Sequence, residues 1–292
     1  MKRLQLGQFW GSQCIFVHFY LRNQAPAYPA REFRSPAAAN GLVWLHRPIQ
    51  RRMCYRFFLR KSELNRACEA LKAALRAEFS DQVNIAPSSS IAVARREPSS
   101  ETPVVSSLRW GLVPAWAATP ESCPPSLANA RADTLAAKPS FAESYRKRRC
   151  LIPAGGFFEW ETLPGGRKQP WLFHRRDGAP LLFAGIWDRW TGTDGRSLES
   201  CAIVTTNPSA DIADLHDRMP VCLDLSGAIT WLAPDTSASS LEALLRPAAD
   251  RTLDRFRVDP RINSVRVGDP TCLAPWSPPP PSDEPQLSLG LD

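Results

Sequence analysis

The sequence predicts an α+β fold with antiparallel sheets, and three observations carry that prediction. Hydrophobic residues make up 43% of the 292-residue chain, enough to build a packed core. Short apolar runs of strand composition crowd the middle of the chain, with helical periodicity before and after them. These runs do not alternate strictly with helices as a parallel sheet requires, and Gly, Asp and Pro punctuate them as tight turns do. No stretch of 18 or more apolar residues interrupts the pattern, so no membrane partner is expected.

Taken in order, KSELNRACEALKAALRAEF (61–79) predicts the first helix, with Ser62 as N-cap and Leu64, Ala67, Cys68, Leu71 and Leu75 along one face. Six strand regions follow: SIAVARRE (90–97), SLRWGLVPAW (107–116), RCLIPAGGFFEWE (149–161), QPWLFHRR (169–176), APLLFAGIWDRW (179–190) and SCAIVTTN (200–207). The turns LPGGRK, RRDGAP and TGTDGRS between them predict hairpins. KPSFAESYRKRR (138–149) predicts a short helix among the strands, and two more helices are expected near 226–232 and 239–246. The Pro-rich, acidic end of the chain has the composition of a disordered tail, assigned to 276–292.

The formal charge of +7 is confined to the start of the chain. Residues 1–52 hold eight Lys and Arg against one acid, Glu32, and Met53 onward balances 28 basic against 28 acidic residues. The basic pI therefore says nothing of the body, and a nucleic-acid partner has to be argued from particular arginines. Residues 1–52 show no sustained period of 2 or 3.6 and do not read as a domain. A translated region upstream of the true start is favoured over an Arg-rich targeting peptide or a disordered basic arm. The eight cysteines lack CxxC, CxC and Cys/His metal spacings, so they read as reduced thiols, most of them buried, with no metal.

One cysteine stands apart. In RRMCYRFF (51–58), a chain started at Met53 would lose its methionine before so small a neighbour and leave Cys54 with a free α-amine. The amine of such a 1,2-aminothiol condenses with an aldehyde to an imine, and the thiolate then closes a five-membered thiazolidine. An α-amine with a pKa near ~7.7–8.0 is substantially neutral at physiological pH, unlike lysine. The plainer reading makes Cys54 one more small core residue. Further candidates are Asn129 and Arg131 in LANARADT, Glu159 in the apolar AGGFFEWE, and His216 with Arg218 in DLHDRMP. Burial beside Phe157, Phe158 and Trp160 would raise the Glu159 pKa toward that of a general acid working near neutrality. An outward-facing edge position is its plainer reading, as turn capping is for Asn129 and a surface ion pair is for Arg131.

MCYRF, VNIAPSS, LRWGLVPAW, NARADTLAAKPSF, RRCLIPAGGFFEW, KQPW, FAGIW, IVTTN and LHDRMPV occur in an order and spacing that resemble the SRAP family, the SOS-response-associated proteins that crosslink themselves to abasic sites in single-stranded DNA. The resemblance covers residues 53–275 and implies a single domain whose antiparallel sheets form a barrel-like core flanked by helices. It further implies a mature chain beginning at Cys54, with Cys54 the crosslinking nucleophile. Asn129 would orient amine and sugar, Glu159 would be the acid/base group, and His216 would help open the sugar or shuttle protons. Arg56, Arg131 and Arg218 would hold phosphates, and Trp116 would stack on a base or wedge a strand end. Trp110 reads as core. The resemblance implies a monomer in the cytoplasm, associated with the nucleoid if bacterial, partnered by abasic single-stranded DNA and needing no cofactor. Two positions depart from the family pattern: Tyr55 stands where Gly is usual after the cysteine, and Val83 where Tyr usually precedes the NIAP asparagine.

Two other function classes compete. A thiol peptidase cutting its own leader would use Cys54 with Glu159 and His216, although a cut before Met53 would still leave the Cys54 amine blocked. A plain single-strand-binding module would not depend on Cys54.

Overall fold

The computed structural model describes residues 55–97, 100 and 102–278. Cys54, the leader 1–52 and residues 279–292 lie outside the described residues. The chain divides after Pro48, and everything described belongs to the second unit. In chain order its elements begin with β1 (Phe57–Leu59), α1 (Lys61–Leu71), β2 (Ala74–Leu75), β3 (Gln82–Ile85), β4 (Ser90–Arg95) and β5 (Val104–Trp110). Then come β6 (Asn129–Arg131), α2 (Ala142–Lys147), β7 (Arg149–Ala154), β8 (Gly156–Thr162), β9 (Lys168–Arg175), β10 (Leu181–Thr191) and β11 (Ser197–Thr206). β12 (Met219–Pro220), α3 (Leu225–Leu232), α4 (Ala238–Leu244) and β13 (Leu253–Arg257) complete the set.

β5, β4, β7, β10 and β11 pair in that order, and β11 returns to β5 through Ser200 opposite Arg109 and Cys201 opposite Trp110. The five strands thus close into a barrel, the α+β architecture expected. Most pairings are antiparallel, but β11 runs parallel to β5 and to β6, and β2 runs parallel to β5. The parallel β11–β5 contact joins strands far apart in sequence, which no local turn signal announces. A second sheet, β13-β9-β8-β1-β3, lies outside the barrel. It is apolar on both faces: Phe57, Phe157 and Phe173 belong to the main core, while Phe58, Phe158 and Leu172 pack with Val258, Ile262 and Cys272 on the other side.

Three local expectations need correction. The first helix stops at Leu71, because Lys72 turns left-handed at φ 51 and residues 74–75 pair with β5 instead, leaving Leu75 exposed. Its N-cap is Arg60, with no side-chain cap, and Ser62 sits inside the helix, bonding Glu63. RCLIPAGGFFEWE is two strands in two sheets, β7 in the barrel and β8 outside it. The change happens at Gly155 and Gly156, where an added Cβ would strike the Phe58 ring and the Phe173 carbonyl respectively. RRDGAP is not a hairpin, since β9 pairs with β8 and β13 while β10 pairs with β7 and β11. The other two turns do close hairpins, β8–β9 and β10–β11.

The described cysteines are free thiols, with Cys68, Cys150, Cys201 and Cys272 buried. Tyr55 and Val83, at the two unusual positions, both pack into apolar clusters. Trp276, at the head of the expected tail, donates its amide to the Arg257 carbonyl at 2.9 Å. No helix among the described residues is long and apolar enough to cross a membrane.

Candidate active site

Strand alternation sets which way Glu159 faces. Phe157 lies in the main core and Phe158 in the outer cluster, so Glu159 turns to the barrel side and Trp160 away from it. The edge-strand alternative fails, because β8 is paired on both flanks and Glu159 is only 2% exposed. The loop after β11 brings His216 to it, with Nε2 3.6 Å from Glu159 Oε2 and the histidine also buried. Nδ1 of His216 lies 3.0 Å from both the amide nitrogen and the carbonyl oxygen of Arg218. The ring is thereby fixed whichever nitrogen carries the proton. A buried carboxyl facing an oriented imidazole makes a proton-transfer pair.

The end of β11 assembles the polar rim. Asn129 and Arg131 project from the same side of β6, opposite Ala130, which is in the core. Asn129 is buried and Arg131 exposed. Arg131 pairs across to Thr205, whose carbonyl accepts from Nη2 of Arg218 at 2.8 Å. Nη1 of Arg218 also donates to Asn207 Oδ1 at 3.2 Å. Asp133, which the sequence reading passed over, joins the two arginines, at 2.8 Å from Arg131 and 3.8 Å from Arg218. Its hydrogen bond to Arg131 holds the Asp133 carboxyl below the usual range. Burial, and then the charge of Arg131, lower the Arg218 guanidinium from its ordinary value. An Asp two residues after an Arg is a readable signal for such a bridge, but its second partner comes from a distant loop.

Trp116 is 67% exposed on the loop after β5, and the loop backbone is pinned on both sides of it. Ala115 N–H donates to Asp188 Oδ2 at 3.0 Å, and Trp190 Nε1 donates to the Ala117 carbonyl at 2.8 Å. Trp110 is fully buried, donating to the Ala128 carbonyl. Arg56 stands on the outer face of β1 with Trp160, across the sheet from Glu159. His174, half-buried on β9, packs against Phe256 away from this group. Among the described residues no group of three His, Cys, Asp or Glu could hold a metal ion.

Residues 53–265 match the family described as SOS response associated peptidase (SRAP). The chain belongs to the SRAP family. The SRAP relatives include the abasic site processing protein YoqW of Bacillus subtilis, 35% identical over 197 residues that cover 67% of this chain and 87% of that one. The abasic site processing protein HMCES of Rattus norvegicus is 32% identical over 204 residues, covering 59% of this chain and 57% of that longer one. Among solved structures, a protein from Bacteroides thetaiotaomicron superposes with a TM-score of 0.67 at 26% identity, covering 77% of this chain and all of that one. The SRAP match therefore spans the barrel, the outer sheet and every site residue described above.

Proposed function

We propose that this chain processes abasic sites in single-stranded DNA by forming a covalent thiazolidine through the α-amine and thiol of Cys54. The observation that carries the reading is the buried Glu159–His216 pair beside the N-terminal end of β1. Phe57 pairs with Phe157, and the Arg56 carbonyl accepts from the Phe158 amide at 3.0 Å, so β1 runs alongside the Glu159 segment. Cys54 itself lies outside the described residues, one peptide bond from Tyr55.

The chemistry balances without a cofactor. The ring-opened abasic sugar presents an aldehyde carbon; the Cys54 amine adds to it, and the carbinolamine loses water to give an imine. The thiol sulfur then bonds to the same carbon while the nitrogen takes a proton, so one water is released and nothing is oxidised or reduced. Glu159 protonates the departing oxygen and His216 relays the proton, while Asn129 orients amine and sugar. Arg131 and Arg218 supply cationic contacts for flanking phosphates, and the exposed Trp116 offers a stacking face. The reading requires a polypeptide that begins at Met53 and loses it, because residues 1–52 would otherwise tie the amine into a peptide bond. The adduct would shield the abasic site in the DNA damage response.

Intact-mass measurement with an abasic oligonucleotide tests this. Protein with Cys54 at its N-terminus should gain the mass of the oligonucleotide less one water, and Cys54→Ser should lose the heat-stable adduct. An equally stable adduct from the serine variant would assign the nucleophile elsewhere. The full 292-residue chain, run alongside, would instead favour a peptidase if it lost the leader mass without forming any DNA adduct.

A further inference from the structure

After β13 the chain returns across the outer face of the second sheet as a strap, residues 258–276. Val258, Ile262 and Cys272 bury their side chains against Phe58 and Phe158. Polar bonds tie it to β9: Val258 N–H donates to the Pro170 carbonyl at 3.1 Å, and Asn263 Nδ2 donates to the Lys168 carbonyl at 3.1 Å. The strap also grips the residues beside the site. Nη1 of Arg56 donates to Asn84 Oδ1 at 2.6 Å and to the Ile262 carbonyl at 3.2 Å, and Nη2 donates to the Asn263 carbonyl at 3.3 Å. Asn84 Nδ2 donates to the carbonyls of Ile262 and Ser264 at 3.1 and 2.9 Å. Trp160 Nε1 donates to Asn263 Oδ1 at 2.6 Å, and the Arg56 guanidinium lies 5.7 Å above the Trp160 ring.

We propose that this strap is a positioning device: Asn263 of the strap and Asn84 of β3, acting through Arg56 and Trp160, lock the start of β1 against β8 and so fix where the backbone leaves β1 alongside the Glu159 segment. The inference rests on the crosslinking reading above and makes Arg56 a positioning residue rather than a phosphate contact. β1 is only three residues long, and a chain end with so short a ladder frays unless something ties it down. A nucleophile on a fraying end would spend little time in attack geometry. The guanidinium counters this from the opposite face, where its planar fork meets an amide oxygen and two carbonyls at once, a geometry that a lysine ammonium cannot reproduce.

The test uses protein with Cys54 at its N-terminus and four variants, Asn84→Ala, Asn263→Ala, Arg56→Ala and Arg56→Lys. Three quantities are read: adduct rate at saturating abasic DNA, salt dependence of binding to intact single strands, and hydrogen exchange at the Phe158 amide that donates to Arg56. All four variants should crosslink at least ~10-fold more slowly and exchange Phe158 at least ~10-fold faster, with the wild-type salt slope. Unchanged Phe158 exchange would overturn the latch. A slope flattened by ~0.7 in Arg56→Ala and restored in Arg56→Lys would make Arg56 a phosphate contact instead. Wild-type protein that forms no abasic adduct would remove the crosslinking reading and the strap's role in it, while the exchange data would still decide whether the strap holds β1.

Discussion

At the scale of single residues the site is a division of labour set by burial. Glu159 and His216 are withdrawn from water and face each other, which suits proton transfer, whereas Arg131 stands in solvent, which suits an encounter with DNA. Glu159→Gln keeps the shape and removes the proton, so adduct formation should slow by roughly 10²–10⁴-fold, the usual reach of general acid–base catalysis. A variant that crosslinks at the wild-type rate between pH 6 and 8 would take Glu159 out of the mechanism. In the proposed function Asp133 competes for Arg131: a phosphate that binds there would have to displace the carboxylate that holds it. Asp133→Asn should therefore tighten binding to single-stranded DNA at low salt and scarcely alter stability, since exposed ion pairs contribute only about 0–1 kcal/mol. Arg131→Ala should weaken binding and flatten the log-affinity against log-salt slope by about 0.7. Salt titrations of both variants check the pair.

The elements around the site are positioned by contacts that hydrophobic pattern does not encode. Gly156 opens β8 so close to β9 that a Cβ there would meet the Phe173 carbonyl, which is backbone and cannot turn aside. Gly156→Ala should cost about 1–3 kcal/mol of stability in denaturant melts. Arg149 performs a different service at the start of β7. Its buried guanidinium donates to the carbonyls of Tyr145 and Arg146 in α2 and to those of Trp231 and Ala233 at the end of α3. Helix C-termini leave such carbonyls unpaired and carry partial negative charge, so one cation ties both helix ends to the barrel. Arg149→Leu would leave the buried carbonyls of Tyr145 and Trp231 without this donor and should destabilise by about 3 kcal/mol in the same measurement.

Across the whole molecule, the barrel protects its sulfur. Burial pushes the Cys150 and Cys201 thiols well above their ordinary pKa, which removes the reactive thiolate as well as access to it. A maleimide at pH 8 should leave Cys150 and Cys201 unmodified in native protein and label them only after unfolding, while the partly exposed Cys123 reacts early. Peptide mass mapping of the labelled sites checks this. Rapid native labelling of Cys150 or Cys201 would mean that the barrel opens far more readily than its closed ladder implies.

Much of this was legible in the chain itself, and the reason is locality. The short apolar run in SIAVARRE and the helical spacing of Leu64, Ala67, Cys68 and Leu71 depend on neighbours a few residues away, so they survive without tertiary knowledge. The confinement of the charge excess to residues 1–52 is likewise a property of composition. Glu159 and His216 could be singled out by type and context, because an acid in an apolar run and a histidine among charges are both locally odd. Tertiary structure decided the rest. It split RCLIPAGGFFEWE between two sheets and ended the first helix early, in each case because strand partners well away along the chain took up the backbone hydrogen bonds: β10 for β7, β1 for β8 and β5 for residues 74–75. It turned Arg56 to the face away from Glu159 and gave Asp133 its second arginine, outcomes set by which strands and loops meet across the fold. Sequence reports how a residue suits its neighbours in the chain; which distant partners complete a site depends on how sheets close, and the parallel β11–β5 seam that closes this barrel leaves no mark within either strand.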